Sequence, residues 1–108
     1  MPSDFTQKVI KIIKNIPLGK VLTYGKIAKL AGNPRAARQV SWLLHSSTKK
    51  YNLPWHRVIN SQGKIALKSQ NGKDYQKILL EKEGIEFTEN NKIELKKYLW
   101  EIDSIVNI

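Results

Sequence analysis

Apolar residues near the start of the chain recur at helical spacing. Phe5, Val9, Ile12, Ile13 and Ile16 fall on one face, with lysines between them. Asp4 followed by Gln7 suits the start of this helix, and Pro17-Leu18-Gly19 stops it. Val21-Leu22 is a short β-prone stretch, and Thr23 can cap a second helix over about Tyr24 to Leu30. Ala31-Gly32-Asn33-Pro34 then reads as a tight connection. Asn33 suits the N-cap and Pro34 the first position of a third helix that runs to about His45. Two helices joined by a short Gly-containing turn read as a helix-turn-helix, although any packed helical hairpin gives the same pattern.

The third helix has two faces. Ala36, Ala37, Val40, Leu43 and Leu44 form an apolar stripe, while Arg35, Arg38, Ser41, Trp42 and His45 fall largely opposite. Small side chains at Ala36, Ala37 and Ser41 would let the backbone approach another surface closely, and a charged solvated face fits the same pattern. Ser46 to Leu53 reads as a loop. Val58-Ile59, a Gly-bearing turn at Ser61-Gln62-Gly63-Lys64, and Ile65-Ala66-Leu67 predict a β-hairpin. A fourth helix is expected over about Gly72 to Glu83, with Tyr75, Ile78 and Leu79 inward and Gly84 as its stop. Ile85-Glu86-Phe87, an Asn-rich turn and a helical piece around Leu95 to Trp100 complete the chain. The expected fold is mainly α with a small β-hairpin, a winged helix-turn-helix in one domain over residues 1–108.

Charge sharpens this picture. Nineteen Lys and Arg against nine Asp and Glu leave a formal net charge of +10 on 108 residues, which suggests a polyanionic partner. The chain has no cysteine, which excludes disulfides, thiolate metal sites and thiol catalysis, and no metal or cofactor site is expected. No apolar run approaches the ~20 residues needed to span a bilayer. Met1 to Lys14 is charged and periodic, unlike a signal peptide, so an intracellular protein is expected (cytoplasmic and nucleoid-associated if bacterial).

The segment Pro54-Trp55-His56-Arg57-Val58-Ile59 resembles the active-site segment of the O6-alkylguanine-DNA alkyltransferases, Pro-Cys-His-Arg followed by two apolar residues. Trp55 stands at the cysteine position, the mark of the alkyltransferase-like proteins. The resemblance also covers Gly19-Lys20-Val21-Leu22-Thr23-Tyr24-Gly25, Ala31-Gly32-Asn33-Pro34-Arg35-Ala36-Ala37-Arg38-Gln39-Val40 and Leu79-Leu80-Glu81-Lys82-Glu83-Gly84.

This resemblance implies a protein that binds double-stranded DNA carrying O6-alkylguanine and flips the base into a pocket, because O6 is hidden inside the stack. Tyr24 matches the tyrosine that turns the backbone phosphate, and Arg38 the arginine finger that enters the vacated stack. The third helix would enter the minor groove through Arg35, Ala36, Ala37, Arg38 and Ser41. The implied lesion pocket comprises Tyr24, Pro54, Trp55, His56, Arg57 and Lys68. His56 and Glu83 match the relay that activates the transferase cysteine. Indole offers an N–H donor and no accessible lone pair, so these two are expected to be structural and no catalytic residue is expected. A monomer is expected, and the resemblance further implies that the lesion passes to nucleotide excision repair proteins. The residues also admit a general winged-helix DNA-binding protein, or an enzyme of the methyltransferase type with another acceptor.

Overall fold

The computed structural model describes residues 3–105 and 108; Met1, Pro2, Val106 and Asn107, at the ends of the expected domain, lie outside the described residues. Helix α1 spans Asp4–Lys14 and is capped by Ser3, whose hydroxyl accepts from the Thr6 N–H at 3.1 Å. Its buried face is Val9, Ile10, Ile12 and Ile13, as the periodicity predicts. Strand β1 (Leu22–Thr23) leads into α2 (Tyr24–Leu30), whose N-cap is Thr23, accepting from the Lys26 N–H.

Helix α3 spans Ala37–Tyr51, so its expected boundaries move at both ends. Asn33 caps a turn instead of the helix: its side-chain oxygen accepts from the Arg35 N–H and its carbonyl from the Ala36 N–H. At the other end, Ser46 to Tyr51 is helical where a loop was expected. The Ser46 and Thr48 hydroxyls bond back to the carbonyls of Leu43 and Leu44, so residues that favour loops are satisfied within the helix. Asn52, at φ 52°, ends it in the left-handed conformation that asparagine tolerates.

The β structure also differs from expectation. Strand β2 (Val58–Ile59) pairs in parallel with β1, Leu22 opposite Val58 and Thr23 opposite Ile59, and Val21 bridges to Leu99 on the C-terminal segment. Ile65–Leu67 does not return along β2 as the second hairpin strand. The Val58 carbonyl instead accepts from the Gln76 side chain, and the chain turns away at Gly63. Gly63 has φ +78° and pairs its carbonyl with the Ile93 N–H; a Cβ there would lie 2.4 Å from the Ile93 oxygen. Only glycine fits this close backbone approach.

Helix α4 (Gln70–Lys82), capped by Ser69, and α5 (Leu95–Tyr98) follow. The inward residues of α4 are Gln76 and Leu80, with Leu79 half-buried, whereas Tyr75 and Ile78 are 57% and 49% exposed. Pattern reading selects apolar residues for the inside and passes over a glutamine whose amide is satisfied there. Two apolar clusters result. One joins α1, α2 and α3 through residues such as Ile12, Ile13, Ile27, Val40 and Val58, and the other gathers Val21, Ile59, Leu80, Ile85, Ile93 and Tyr98. Each such aliphatic side chain contributes roughly 1.5–3 kcal/mol by leaving water. Together they fix β2, and the short segment before it, against α3 and α4.

Candidate functional site

That short segment positions the site. After Asn52, buried Leu53 anchors the chain, and Pro54 leads into a single 3₁₀ turn over Trp55–Arg57. The turn is closed by the Arg57 N–H donating to the Pro54 carbonyl at 3.0 Å. It sends consecutive side chains to different places: Trp55 borders a cleft, while His56 and Arg57 reach Glu83.

Glu83, 10% exposed, sits at the C-terminus of α4 and is the hub of a junction. His56 Nε2 lies 2.6 Å from its Oε2. Because a carboxylate only accepts, that nitrogen carries the hydrogen. Arg57 Nε donates to both carboxylate oxygens at 3.0 and 3.1 Å, and a terminal nitrogen to Oε2 at 3.0 Å. The Gly19 N–H donates to Oε1 at 2.9 Å, and the other terminal nitrogen of Arg57 to the Ile16 carbonyl at 2.8 Å. Burial on its own would raise the carboxyl. The hydrogen bonds from Arg57, Gly19 and His56, with the charge of Arg57, outweigh it and hold Glu83 below its ordinary value. The junction thus clamps the 3₁₀ turn to the ends of α1 and α4. Gln76 adds to the clamp by donating to the carbonyls of both His56 and Val58, at 2.9 and 3.1 Å.

On the other side of the turn lies a cleft of about 510 Å³, within the range of small-molecule sites. Tyr24, Ser41, Trp42, Leu44, His45 and Trp55 line it, with Thr48, Leu67 and Gln76. Tyr24 stands at the start of α2, half-buried against the core, and burial pushes its hydroxyl above the ordinary value, so it stays a neutral phenol. The Trp55 ring meets Tyr75 at 6.1 Å between centroids with planes tilted by 35°, and His56 edge-on at 6.1 Å. A second depression on α3, about 610 Å³, is lined by Asn33, Arg35, Ala36, Arg38, Gln39, Trp42, Leu43 and Ser46.

Of the residues expected in a lesion pocket, Tyr24 and Trp55 line the cleft together with Ser41. Pro54 precedes the turn, His56 and Arg57 point into the junction, and Lys68 is exposed just before α4, next to the cleft-lining Leu67. On α3 and the turn before it, Arg35, Arg38 and Ser41 are exposed, Ala37 is half-buried and Ala36 is buried in the core. Sequence reasoning missed Gln76 and Thr48, and left Arg57 without a role. Gln76 is polar, so a pattern of apolar positions passes over it although Leu79 and Leu80 follow it in helical phase, and Thr48 lay in the stretch read as loop. Among the described residues no three His, Asp or Glu side chains converge as a metal site would need, and no helix is long and apolar enough to cross a membrane. The cleft can hold a flat apolar group, but no thiol faces it, since the sequence contains no cysteine.

Comparison with known proteins agrees with this geometry. Residues 4–85 match the family described as 6-O-methylguanine DNA methyltransferase, DNA binding domain. A DNA base-flipping protein of Vibrio parahaemolyticus is 52% identical over 98 residues, covering 91% of this chain and 97% of that protein. Alkyltransferase-like protein 1 of Schizosaccharomyces pombe is 40% identical over 102 residues, covering 90% of this chain and 94% of its own length. The crystal structure of S. pombe Atl1 in complex with damaged DNA containing O6-carboxymethylguanine superposes with a TM-score of 0.80 at 41% identity, over 94% of this chain and 100% of that one.

Proposed function

The chain belongs to the family of the 6-O-methylguanine DNA methyltransferase DNA-binding domain, among its alkyltransferase-like members, and from that premise we propose that it recognises O6-alkylguanine in duplex DNA by flipping the base, without removing the alkyl group. One observation carries this reading: the cleft between Tyr24 and α3 is bordered by Trp55, at the position where a transferase needs its cysteine. The indole supplies surface for an extruded purine and no atom that can accept a carbon group. Base–aromatic stacking of this kind contributes roughly 1–3 kcal/mol, enough to offset much of the cost of unstacking a nucleotide.

The other residues fit roles around that event. Tyr24, neutral at physiological pH, presses on the phosphate beside the target without repelling it. Arg38, exposed on α3, fills the gap left in the stack, its planar guanidinium lying against the neighbouring bases. Ala37 and Ser41 allow α3 close approach in the minor groove, with Arg35 on the backbone, and Lys68 stands near the cleft mouth. The minor groove carries a degenerate pattern, so recognition follows the lesion and not the flanking sequence. The +10 charge supplies the general attraction to phosphates. His56 and Glu83 hold the turn in place and activate nothing. The protein acts inside the cell as a monomer, and the lesion it marks, still alkylated, passes to nucleotide excision repair proteins.

The test is a titration of duplexes with and without O6-methylguanine, followed by mass spectrometry of protein and DNA. Tighter binding to the lesion with both masses unchanged is the expected result. Equal affinity for the two duplexes, or an alkyl mass gained by the protein, would overturn the reading.

A further inference from the structure

Among the described residues Trp42 is the most exposed of the large apolar side chains, at 74%. No ring partner, cation or hydrogen bond engages it among the described residues. An indole left in water at mid-helix contributes nothing to the fold, and tryptophan is a residue type favoured where surfaces meet. Its surroundings are specific. Trp42 lines both the cleft that holds Trp55 and the separate depression that holds Arg38, so it forms the ridge between them. It follows Arg38 by four residues, one helical turn, and therefore stands on the same side of α3. Two other exposed apolar residues lie on this side, since Leu67 lines the cleft and Tyr75 packs against Trp55.

Resting on the reading given under Proposed function, we infer that Trp42 is a positioning residue for the extruded nucleotide. A nucleotide that leaves the stack where Arg38 enters, and ends beside Trp55, must pass over the ridge between the two depressions. There the indole packs against the deoxyribose and the outer edge of the base, closing the side of the cleft that is open in the free protein. Trp55 and Trp42 then hold the flipped base from two sides. Undamaged, unflipped DNA does not reach this arrangement, so Trp42 adds to the preference for the lesion and to the lifetime of the flipped state.

The experiment compares the wild-type protein with Trp42→Ala and Trp42→Phe, reading dissociation rates from an O6-methylguanine duplex and from the same duplex undamaged. Because the side chain is exposed, both variants are expected to melt within a degree or two of the wild type. Trp42→Ala should release the lesion duplex about tenfold faster, the scale of one base–aromatic contact, while its affinity for plain duplex changes less than about twofold. Trp42→Phe, which keeps a ring, should recover most of the loss. Unchanged dissociation from the lesion, or an equal loss on both duplexes, would overturn the inference while leaving the wild-type preference intact. A wild-type protein that makes no distinction between the duplexes would instead overturn the functional reading, and this inference with it.

Discussion

At the Glu83 junction four donors, from His56, Arg57 and the Gly19 backbone, converge on one carboxylate at 2.6–3.1 Å. Across the same 3₁₀ turn, the cleft presents the rings of Trp55 and Trp42 to open space. The two regions draw on adjacent residues. Trp55 serves the cleft while His56 and Arg57 serve the junction, and on α4 Tyr75 touches the Trp55 ring while Gln76 holds the turn's backbone. One region spends its hydrogen-bonding capacity internally, and the other leaves apolar surface open. In a transferase the relay beside a cysteine would be chemistry. On the reading proposed above, with Trp55 in that position the same His56–Glu83 contact is support, and each side can be attacked separately.

The largest effect is expected at the junction. Glu83→Ala leaves the Arg57 guanidinium, 17% exposed, without its carboxylate, and removal of one partner from such a pair costs about 3 kcal/mol or more. Urea unfolding should show this as a lowered midpoint. The same pair gives the protein an acid limit. Because the folded state holds Glu83 below its ordinary value, its contribution is complete above about pH 4.3, where the unfolded chain titrates, and is lost as pH falls through the lowered folded value. Glu83→Gln, less stable at neutral pH, should therefore lose less further stability than the wild type between pH 5 and pH 3. Identical slopes for the two proteins would show that the junction is not the acid-sensitive element.

On the cleft side, Arg38→Ala should leave stability within about 0.5 kcal/mol, as expected for an exposed side chain. Its effect belongs to binding: a loss of about tenfold in affinity for the alkylated duplex, of the order of one stacking contact, with a smaller loss on plain duplex. Equal losses would make Arg38 an ordinary phosphate contact and remove it from the flipping step.

The contrast also explains what could be read from the chain. Helix α2 was legible to its last residue because Thr23 caps it and Ile27 and Ala28 fall in phase. The Pro54–Arg57 segment was legible because it carries the family pattern. The hairpin was not, because its outcome depends on two distant contacts, Gln76 on Val58 and Ile93 on Gly63, that no local pattern announces. The loop expected over Ser46 to Leu53 gave way to helix as far as Tyr51 for a related reason, since its hydroxyls find acceptors one turn back and lengthen α3 past Thr48, a wall of the cleft. Arg57 had a visible position and no visible partner, because Glu83 lies 26 residues away. Local signals thus marked the side of the site that faces a ligand, and long-range hydrogen bonds built the side that holds it.

Tyr75 offers the smallest and most discriminating test. Its ring, 57% exposed, is read from the pattern as core but contributes little by burial; its neighbour is the Trp55 indole, 6.1 Å away. Tilted aromatic pairs contribute about 0.5–1.5 kcal/mol beyond their buried area. If that contact sets the plane of the indole against an incoming base, Tyr75→Ala should weaken lesion binding about threefold, in the lower part of that range, and leave urea stability nearly unchanged. Tyr75→Phe, which keeps the ring and drops the hydroxyl, should bind as the wild type does. Gln76→Leu, one residue on, should act chiefly on stability, because it leaves the His56 and Val58 carbonyls short of a donor and lowers stability by about 1–3 kcal/mol. Should Tyr75→Ala lower stability as much as Gln76→Leu does, the division between a supporting side and a ligand side would fail at the one helix where both are served by consecutive residues.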